Sequence, residues 1–359
     1  ILGVAFPVFV FLSMQDTQKL LIEHLRHVSV VSARDASIDP GVAVQIRTHP
    51  SVAGVVPTNP LLLAVSVPPL LQAGIRLYGV PEEYLQDLLD LYGLELEEGR
   101  LPRPRSNEVV VSKAVARNRG LRVGDKVGRP VYEQDGFPTE MVITGILKPR
   151  PGKALSLSDP WVGFSSYEYQ QAHESYASEV RYLLVIPAEG RKAEMDAWLE
   201  GNVASTYTAV ETYDTQLCEI QQTTQNMLLL FAIVESVIAA VAAIALAVLN
   251  YIFFSQRREE FGILNAIGYS RAWLVLRTVR ETVSVVALAW LIGAVVCGAN
   301  LVLFQIGLYA PKGLRVDFAN VGPWLFTIPI PLAVVVVSAG TIARVLFKLD
   351  PVSIIERRV

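Results

Sequence analysis

The sequence predicts a membrane protein with four transmembrane helices and a large α+β extracytoplasmic domain carried on a helical stalk. Hydrophobic residues make up 52% of the 359 residues and charged residues only 18%, which is too apolar for an ordinary soluble domain of this length. The apolar residues are concentrated in long runs, and a region of mixed polarity lies between the first and second runs. These features predict membrane helices and one large domain outside the membrane.

Three apolar runs are each longer than the roughly 20 residues that a helix needs to cross the hydrocarbon layer. They occupy residues 227–254, 283–310 and 324–347. Glu235 is the charged residue of the first run and Arg344 that of the third, while the second contains none. Buried helices of a soluble protein rarely combine this length with so few charges, so all three runs are predicted to span a membrane.

A fourth apolar stretch occupies residues 1–13. One interpretation is the core of a signal peptide, but no basic segment precedes the stretch and no small-residue cleavage site follows it. We prefer the second interpretation, in which these residues form the outer end of a transmembrane helix whose inner end lies outside the given sequence.

Basic residues in the short connecting segments predict the orientation. The loop 255–282 contains five arginines and the tail 348–359 contains three basic residues, whereas the loop 311–323 contains two. Cytoplasmic loops carry an excess of Lys and Arg, so the first two segments are predicted to face the cytoplasm. The region 14–226 then lies outside, because the single span 227–254 separates it from the cytoplasmic loop 255–282.

The outer region alternates between segments rich in β-branched and aromatic residues and segments with helical patterns. The predicted strands are 29–33, 60–67, 75–80, 108–112, 141–147 and 180–186, and the predicted helices are 39–50, 81–92, 113–118, 166–174 and 189–200. The clearest helix start is Asp39, a capping residue followed by Pro40. We expect an α+β domain of two lobes, with the second lobe inserted at about residues 81–160.

The two ends of this region, about residues 14–28 and 210–226, are predicted to be helices that continue into the first and second spans. Leu21 and Leu25 share a helix face, and neither Gly nor Pro interrupts residues 210–226. A stiff stalk that transmits displacement along its axis and a plain spacer both fit this pattern.

The cytoplasmic loop contains an unusually apolar centre in the segment RREEFGILNAIGYSR, residues 257–271. On a helix, Phe261, Leu264 and Gly268 lie near one face. An apolar strip with charged flanks can dock in a groove of a partner protein. The alternative is an interfacial helix packed on lipid, but such helices usually have Lys or Trp on their flanks, not paired Glu. Docking on a partner is therefore preferred.

Three segments, in order along the chain, carry a resemblance to a known family. Residues 257–271 resemble the signature loop of the MacB/FtsX family of ABC transporter permeases, which also includes lipoprotein-releasing permeases. Residues 96–127, with E-G-R, N-E-V-V-V-S and G-L-R-V-G-D elements, are similar to the family's extracytoplasmic core, and residues 349–358 resemble its Asp-Pro tail. The chain departs from the pattern at Asn265, where a basic residue is common, and in placing Glu235 inside a span.

The resemblance implies that the loop contains the coupling helix, which seats in an ATPase subunit. The residues expected to form it are Arg258, Glu259, Glu260, Phe261, Gly262, Ile263, Leu264, Ile267 and Gly268. Gly268 is expected to end this helix and Ser270 to cap the next one. The sequence contains no G-x-x-x-x-G-K-[ST] motif, so ATP and Mg²⁺ are expected on a partner ABC ATPase and no cofactor is expected in this chain.

Other chemistry has little support in the sequence. The four histidines do not have metal-ligand spacing, and His24 and His27 are predicted to lie at the surface. Cys218 and Cys297 fall outside and inside a span, respectively, so no intrachain disulfide is expected. No catalytic constellation is found, and the net charge of −3 gives no indication of nucleic-acid binding.

Glu235 is the residue whose role is most open. An ionisable residue within a span by default marks an interface, a cavity or an ion path. A glutamate that reaches headgroups or water at the outer surface is an equally good interpretation. In the first case, two copies could pack through Ala239, Ala240, Ala242 and Ala243, with Ser236 of the opposite chain near the carboxylate.

The expected function is that of a permease subunit in a bacterial cytoplasmic membrane that moves its outer domain when a partner ATPase binds and hydrolyses ATP. Four spans are few for a solute pathway, so a second permease chain is expected, in a homodimer or a heterodimer. Export or extraction of a lipophilic, peptide or lipoprotein substrate is preferred. The alternative is an FtsX-type subunit that regulates a cell-wall hydrolase. An adaptor, a substrate-binding protein and a hydrolase are the candidates for a further partner outside the membrane.

Overall fold

A computed structural model describes residues 3–34, 37–69, 71–151, 160–173, 180–256, 260, 263–264 and 267–348. The chain divides into two compact units. The membrane unit comprises Ile1–Ser13, Thr224–Gln305 and Val316–Val359, and the outer unit comprises Met14–Thr223 and Ile306–Arg315. A short segment from between two apolar helices, residues 306–315, thus belongs to the outer unit.

The outer unit is built on one mixed sheet. Among the described residues its strands are β1 (Ser29–Ala33), β2 (Val52–Val67), β3 (Leu71–Val80), β4 (Leu94–Gly99), β5 (Glu108–Ser112), β6 (Lys126–Val127), β7 (Met141–Pro149), β8 (Gly163–Ser166), β9 (Tyr182–Pro187) and β10 (Thr208–Glu211). The strand order is β10-β1-β9-β2-β3-β8-β5-β7-β4, and β6 pairs with β7. The pairs β3–β8 and β5–β7 are parallel, and the others are antiparallel.

Strand β2 is shared between two halves of the sheet. Its first residues, from Val52 to Thr58, pair with β9, and the rest pair with β3 from Asn59 onward. The first half packs its apolar face on α2 (Pro40–Thr48) and α6 (Lys192–Asn202). The second half is associated with α3 (Glu82–Leu91), α4 (Lys113–Arg119) and α5 (Tyr167–His173). The core under α2 and α6 belongs to the first half alone, whereas the other core contains residues of both halves, such as Val56 and Tyr78.

Most of the predicted elements of this domain are confirmed. The carboxylate of Asp39 accepts a hydrogen bond from the amide of Gly41 at 2.6 Å, so the predicted cap of α2 is present. Strand β2 begins eight residues before the predicted start, because Pro57 and Pro60 lie inside it and resemble turn residues in sequence. Strands β4, β6, β8 and β10 were not predicted, since they are short and β4 is rich in glutamate.

The apolar segments form long helices. These are α1 (Ala5–Ile22), α7 (Tyr213–Gln256), α8 (Arg271–Phe304) and α10 (Pro329–Lys348), with the short α9 (Gly322–Leu325) before the last. By length and composition, three stretches of the described residues can cross a membrane, namely Tyr213–Phe253, Ala272–Lys312 and Gly322–Arg344. Helix α1 is not among them, so the fourth span stays a prediction.

Aromatic pairs pack the apolar half of α1 into the membrane unit. Its phenylalanines contact α8, α9 and α7 in turn, with ring centroids 5.8 Å apart for Phe6–Phe304, 5.3 Å for Phe9–Trp324 and 5.7 Å for Phe11–Phe231. Edge-to-face pairs of this kind stabilise packing beyond the burial of their area. The first apolar segment is therefore an integral part of this helical unit.

Candidate functional site

The predicted coupling segment is described in part. Of its residues, Arg258, Glu259, Phe261 and Gly262 lie outside the described residues, as does Asn265. The described residues Ile263 and Leu264 are helical, and the amide of Ile267 donates to the carbonyl of Ile263 at 3.0 Å.

The end of this segment agrees with two predictions, that Gly268 ends one helix and that Ser270 caps the next. Gly268 has a φ of +109°, in the left-handed region that glycine adopts most readily after a helix. The hydroxyl of Ser270 accepts a hydrogen bond from the amide of Trp273 at 3.2 Å and caps α8. The predicted cap at Ser270 is therefore confirmed.

The described part of the coupling segment presents an apolar surface. Ile263 is 57% exposed and Ile267 is 70% exposed, and their spacing of four places them on one side of a helical turn. Leu264, which was predicted to contribute to the docking strip, is half-buried, and Glu260 is exposed. Two branched side chains open to the surroundings are what an apolar groove on a partner would accept.

Helix α7 begins in the outer unit and continues without interruption through the second apolar run. Its 44 residues correspond to about 66 Å at about 1.5 Å per residue. Its first turn is anchored by Glu200, whose carboxylate accepts hydrogen bonds from the hydroxyls of Thr212 and Thr215 at 2.8 and 2.6 Å. The hydroxyl of Thr212 also accepts from the amide of Thr215 at 3.2 Å.

The two predicted stalk segments are joined inside the outer unit. Helix α1 is followed by a 3₁₀ turn, Glu23–Arg26, and the guanidinium of Arg26 donates to the hydroxyl of Tyr213 at 2.7 Å. The same guanidinium lies 4.5 Å from the centroid of the Tyr213 ring, within cation–π range. The end of the first stalk is thus tied to the start of the second.

The surface position predicted for His24 is wrong. His24 is buried, its ring lies 5.7 Å from that of Tyr78, and its Nδ1 lies 2.9 Å from the carbonyl oxygen of Leu21. Burial and the nearby charge of Arg76 lower the pKa of His24 to about 3, so the ring is neutral at physiological pH. The sequence showed only the helical spacing, whereas the strand that covers this face is remote in sequence.

Residues 306–315, here called the docked loop, pack on α4 and the end of β2. Asn118 is fully buried, and its side-chain amide donates to the carbonyl oxygens of Ser66 at 3.0 Å and Lys312 at 3.1 Å. Its side-chain oxygen accepts from the amide of Ser66 at 2.8 Å. The side chain of Asn118 therefore forms hydrogen bonds with both β2 and the docked loop.

Three further groups hold the docked loop. The hydroxyl of the buried Tyr309 donates to the carbonyl of Pro68 at 3.2 Å, and Arg117 donates to the carbonyl of Ala310 at 3.2 Å. Gly313 has a φ of +76° and lies against the Arg117 side chain, where a Cβ would come within 3.3 Å. These contacts were not predicted from sequence, because neither Asn118 nor Tyr309 belongs to a recognisable motif.

Glu235 lies on the inward face of α7. It is 4% exposed, and it shares this face with the buried residues Ala239 and Ala243. Its Oε1 has no hydrogen-bond partner among the residues that the structure describes. Ser236 points elsewhere, since it is exposed and its hydroxyl donates to the carbonyl of Ala232 at 2.7 Å. Glu235 is therefore buried within the single chain, and its role stays a prediction.

Within the described part of the chain, no three His, Cys, Asp or Glu residues come together as a group that could hold a metal ion. Cys218 is exposed and Cys297 is buried, and both are free.

Two family models match the chain. The MacB-like periplasmic core domain matches residues 1–198, more than half of the sequence, and the FtsX-like permease C-terminal matches residues 232–351. The first model covers α1 and the sheet domain up to α6, without β10, and the second begins within α7 and extends through α8 and α10.

Curated relatives agree with these matches. The macrolide export ATP-binding/permease protein MacB of Neisseria gonorrhoeae is 22% identical over 330 residues, which are 85% of this chain and 50% of that protein. An uncharacterized ABC transporter permease protein of Mycobacterium tuberculosis is 30% identical over 223 residues, which are 60% of this chain and 23% of that protein. The chain spans about half the length, or less, of these relatives.

Solved structures also match the chain, at low similarity. The periplasmic region of MacB from Actinobacillus actinomycetemcomitans is 15% identical, with a TM-score of 0.31, and the match covers 57% of this chain and 98% of that one. The assignment rests on the family models, which together extend over the outer domain and the membrane helices. The chain belongs to the family of MacB-like and FtsX-like ABC transporter permeases.

Proposed function

We propose that this chain is the permease part of a bacterial ABC transporter that converts ATP binding and hydrolysis by an ABC ATPase into movement of the outer unit. The work is done on a substrate outside the membrane, by export or extraction of a lipophilic, peptide or lipoprotein molecule. The domain lies outside the cytoplasmic membrane, and the coupling segment and the tail face the cytoplasm.

One observation carries this proposal. Helix α7 runs unbroken from Tyr213, next to β10 of the outer unit, to Gln256, next to the coupling segment. Its estimated length of about 66 Å is roughly twice the thickness of the hydrocarbon layer, which is about 30 Å. A continuous helix passes axial displacement from one end to the other, and the contacts of Glu200 and Arg26 join its outer end to the sheet domain and to α1.

The coupling segment supplies the other end of this path. The exposed pair Ile263 and Ile267, with the predicted Phe261 and Leu264, forms the apolar surface that we propose docks in a groove of the ATPase. ATP and Mg²⁺ bind to that ATPase, which we propose is a separate subunit. The names of the Neisseria relatives combine ATP binding and permease in one protein, so co-purification is the direct test of this separation.

Assembly with a second permease chain completes the proposed transporter. The described helices of the membrane unit leave many apolar side chains exposed, and both lipid and a second permease chain would cover such side chains. A further partner outside the membrane, such as an adaptor or a substrate-binding protein, would receive the movement of the outer unit.

Breaking the stalk tests the proposal. Gln222 is an exposed residue of α7, so Gln222→Pro removes one backbone hydrogen bond and kinks the helix without disturbing a core. With the complex reconstituted in lipid, we expect Gln222→Pro to abolish substrate-stimulated ATP hydrolysis while basal hydrolysis and ATPase binding persist. Gln222→Ala is the matched control and should behave like the parent. Normal stimulation in the proline variant would refute transmission through α7.

A further inference from the structure

A cavity of about 240 Å³ lies along one edge of β2 in the outer unit. The residues that line it are Asn59, Pro60, Leu61, Leu62, Gly136, Arg181 and Tyr182. We propose that this cavity binds the C-terminus of an extended peptide, whose terminal carboxylate accepts hydrogen bonds from the amide of Leu62 and the guanidinium of Arg181. Because every lining residue belongs to the outer unit, the proposal does not depend on coupling to an ATPase.

The edge of β2 that faces the cavity is open. Strand β9 pairs with β2 only as far as Thr58 and Tyr182, and among the described residues no strand pairs with β2 further along this edge. The next contact on the edge is the carbonyl of Leu62, which accepts from the amide of Gly136 at 2.7 Å. Pro60 lies between these two contacts and lacks the N–H that would continue the ladder.

One backbone acceptor and one backbone donor face the cavity from this edge. The carbonyl of Leu62 and the amide of Ala64 contact Gly136 and the carboxylate of Asp135, so the even-numbered residues here direct their backbone groups away from β3. The N–H and the C=O of a strand residue point to the same side. The amide of Leu62 and, two residues earlier, the carbonyl of Pro60 therefore point towards the cavity.

This acceptor and donor fit one residue of a chain that runs parallel to β2. In parallel pairing, a residue opposite Leu61 donates its N–H to the carbonyl of Pro60 and accepts from the amide of Leu62. Beyond that point, Gly136 and Asp135 already occupy the edge. A chain that ends at this residue fits without a clash, so the group that accepts from Leu62 is its terminal carboxylate.

Arg181 supplies a positive charge at the wall of the cavity. Its backbone is fixed, since its carbonyl accepts from the amide of Ala33 at 2.8 Å and the next residue, Tyr182, pairs with β2. A guanidinium has five N–H donors, so it can donate to a carboxylate alongside its other contacts. The nearby carboxylate of Asp135 does not repel an anion strongly, because Arg119 pairs with it at 2.6 Å.

A second polar residue lines the same cavity. Asn59 is 8% exposed, and its side-chain amide has no hydrogen-bond partner in the part of the chain that the structure describes. Buried amides in native proteins are nearly always hydrogen-bonded, and a bound peptide would supply the missing partner. The half-exposed side chain of Leu62 adds apolar surface, which favours an apolar last residue in the peptide.

The test measures binding of N-acetylated Ala-Ala-Leu to the full chain in lipid nanodiscs, without an ATPase. Saturation-transfer difference NMR compares the peptide with a free carboxylate, the same peptide as a C-terminal amide, and acetate alone. Arg181→Gln removes the charge, and Arg47→Gln, at an exposed arginine of α2 that does not line the cavity, is its control. Leu62→Pro removes the proposed donor at a position outside the ladder with β3, and Leu62→Ala keeps it. Thermal unfolding of each variant shows that it is folded.

We expect the free acid to bind about tenfold more tightly than the amide, and Arg181→Gln and Leu62→Pro to weaken its binding about tenfold, since each loses a charge-assisted hydrogen bond. Both controls should retain the parental affinity. Equal binding of acid and amide, or parental affinity in Arg181→Gln, would overturn the proposal even if Leu62→Pro did not fold. Absence of peptide binding, or acetate binding as tight as that of the peptide, would also overturn it.

Discussion

The side chain of Asn118 donates a hydrogen bond to the carbonyl oxygen of Lys312, 194 residues later in the chain, at 3.1 Å. The same amide group donates to Ser66, so a strand, a helix and a segment between two apolar helices meet at one buried side chain. This contact fixes residues 306–315 to the sheet of the outer unit.

Asn118→Asp should release the docked loop. A carboxylate cannot donate to the carbonyls of Ser66 and Lys312, and a buried acceptor that loses its donor costs about 1–3 kcal/mol. We expect hydrogen exchange of residues 306–315 to accelerate at least tenfold, as roughly 1.4 kcal/mol is a factor of ten. Asn202→Asp, at an exposed asparagine of α6, is the control. Unchanged exchange in the docked loop would contradict this role of Asn118.

His24 should make the folded outer unit sensitive to acid. Its folded pKa of about 3 lies below the ordinary value of 6.5, so the unfolded chain binds the proton more tightly. The contribution of neutral His24 to the free energy of unfolding is fully present above pH 6.5. It is lost as the pH falls from 6.5 towards 3, by up to about 1.4 kcal/mol per pH unit. Thermal unfolding of the full chain at several pH values measures this slope.

The variant His24→Gln tests the assignment of that slope. We expect its stability between pH 6.5 and 4 to decline less steeply than that of the parent, whereas His173→Gln, at an exposed histidine, should leave the slope unchanged. An identical slope in His24→Gln and the parent would assign the acid sensitivity to other groups.

The coupling segment should be required for ATPase binding. Ile263→Asp with Ile267→Asp places two charges on the exposed apolar surface, and Phe261→Asp with Leu264→Asp tests the other predicted pair. We expect either double change to abolish co-purification of the ATPase from detergent while the permease still inserts in the membrane. The volume-conserving control is Ile263→Val with Ile267→Val, which should retain the ATPase. Retention by both Asp pairs would exclude docking through this segment.

Thiol labelling tests the proposed orientation. In a background that lacks Cys218 and Cys297, a probe that cannot cross the membrane should label Ser106→Cys in intact cells. Ser255→Cys, near the end of α7, should react only after permeabilisation. Labelling of both positions from the same side would contradict the orientation derived from the basic residues.

Glu235 should matter for coupled activity because it is buried on the inward face of α7. Glu235→Gln keeps the shape and removes the charge, and Glu235→Leu also removes hydrogen bonding. We expect both variants to lower substrate-stimulated ATP hydrolysis several-fold without loss of ATPase binding. Ser236→Ala, at the exposed neighbour, should retain parental rates. Parental rates in both Glu235 variants would remove this residue from the functional site.

The sequence by itself determined the features that depend on neighbouring residues. Membrane-spanning runs follow from local hydropathy, the strands from β-branched segments, and the caps at Asp39 and Ser270 from hydrogen bonds within one turn of a helix. The coupling segment was predicted for the same reason, since its charged flanks and apolar centre are contiguous, and its role stays a prediction. Short strands such as β10 escaped prediction because four residues carry too little of the alternating pattern.

Tertiary structure alone decided the features that depend on residues remote in sequence. The burial of His24 beside Tyr78, the tie between Arg26 and Tyr213, and the inward position of Glu235 each require a partner element that local patterns do not specify. The docked loop is the extreme case. Nothing near Asn118 indicates that its amide will reach Lys312, because a hydrogen bond forms by distance in space, and the fold of the whole outer unit brings these two residues together.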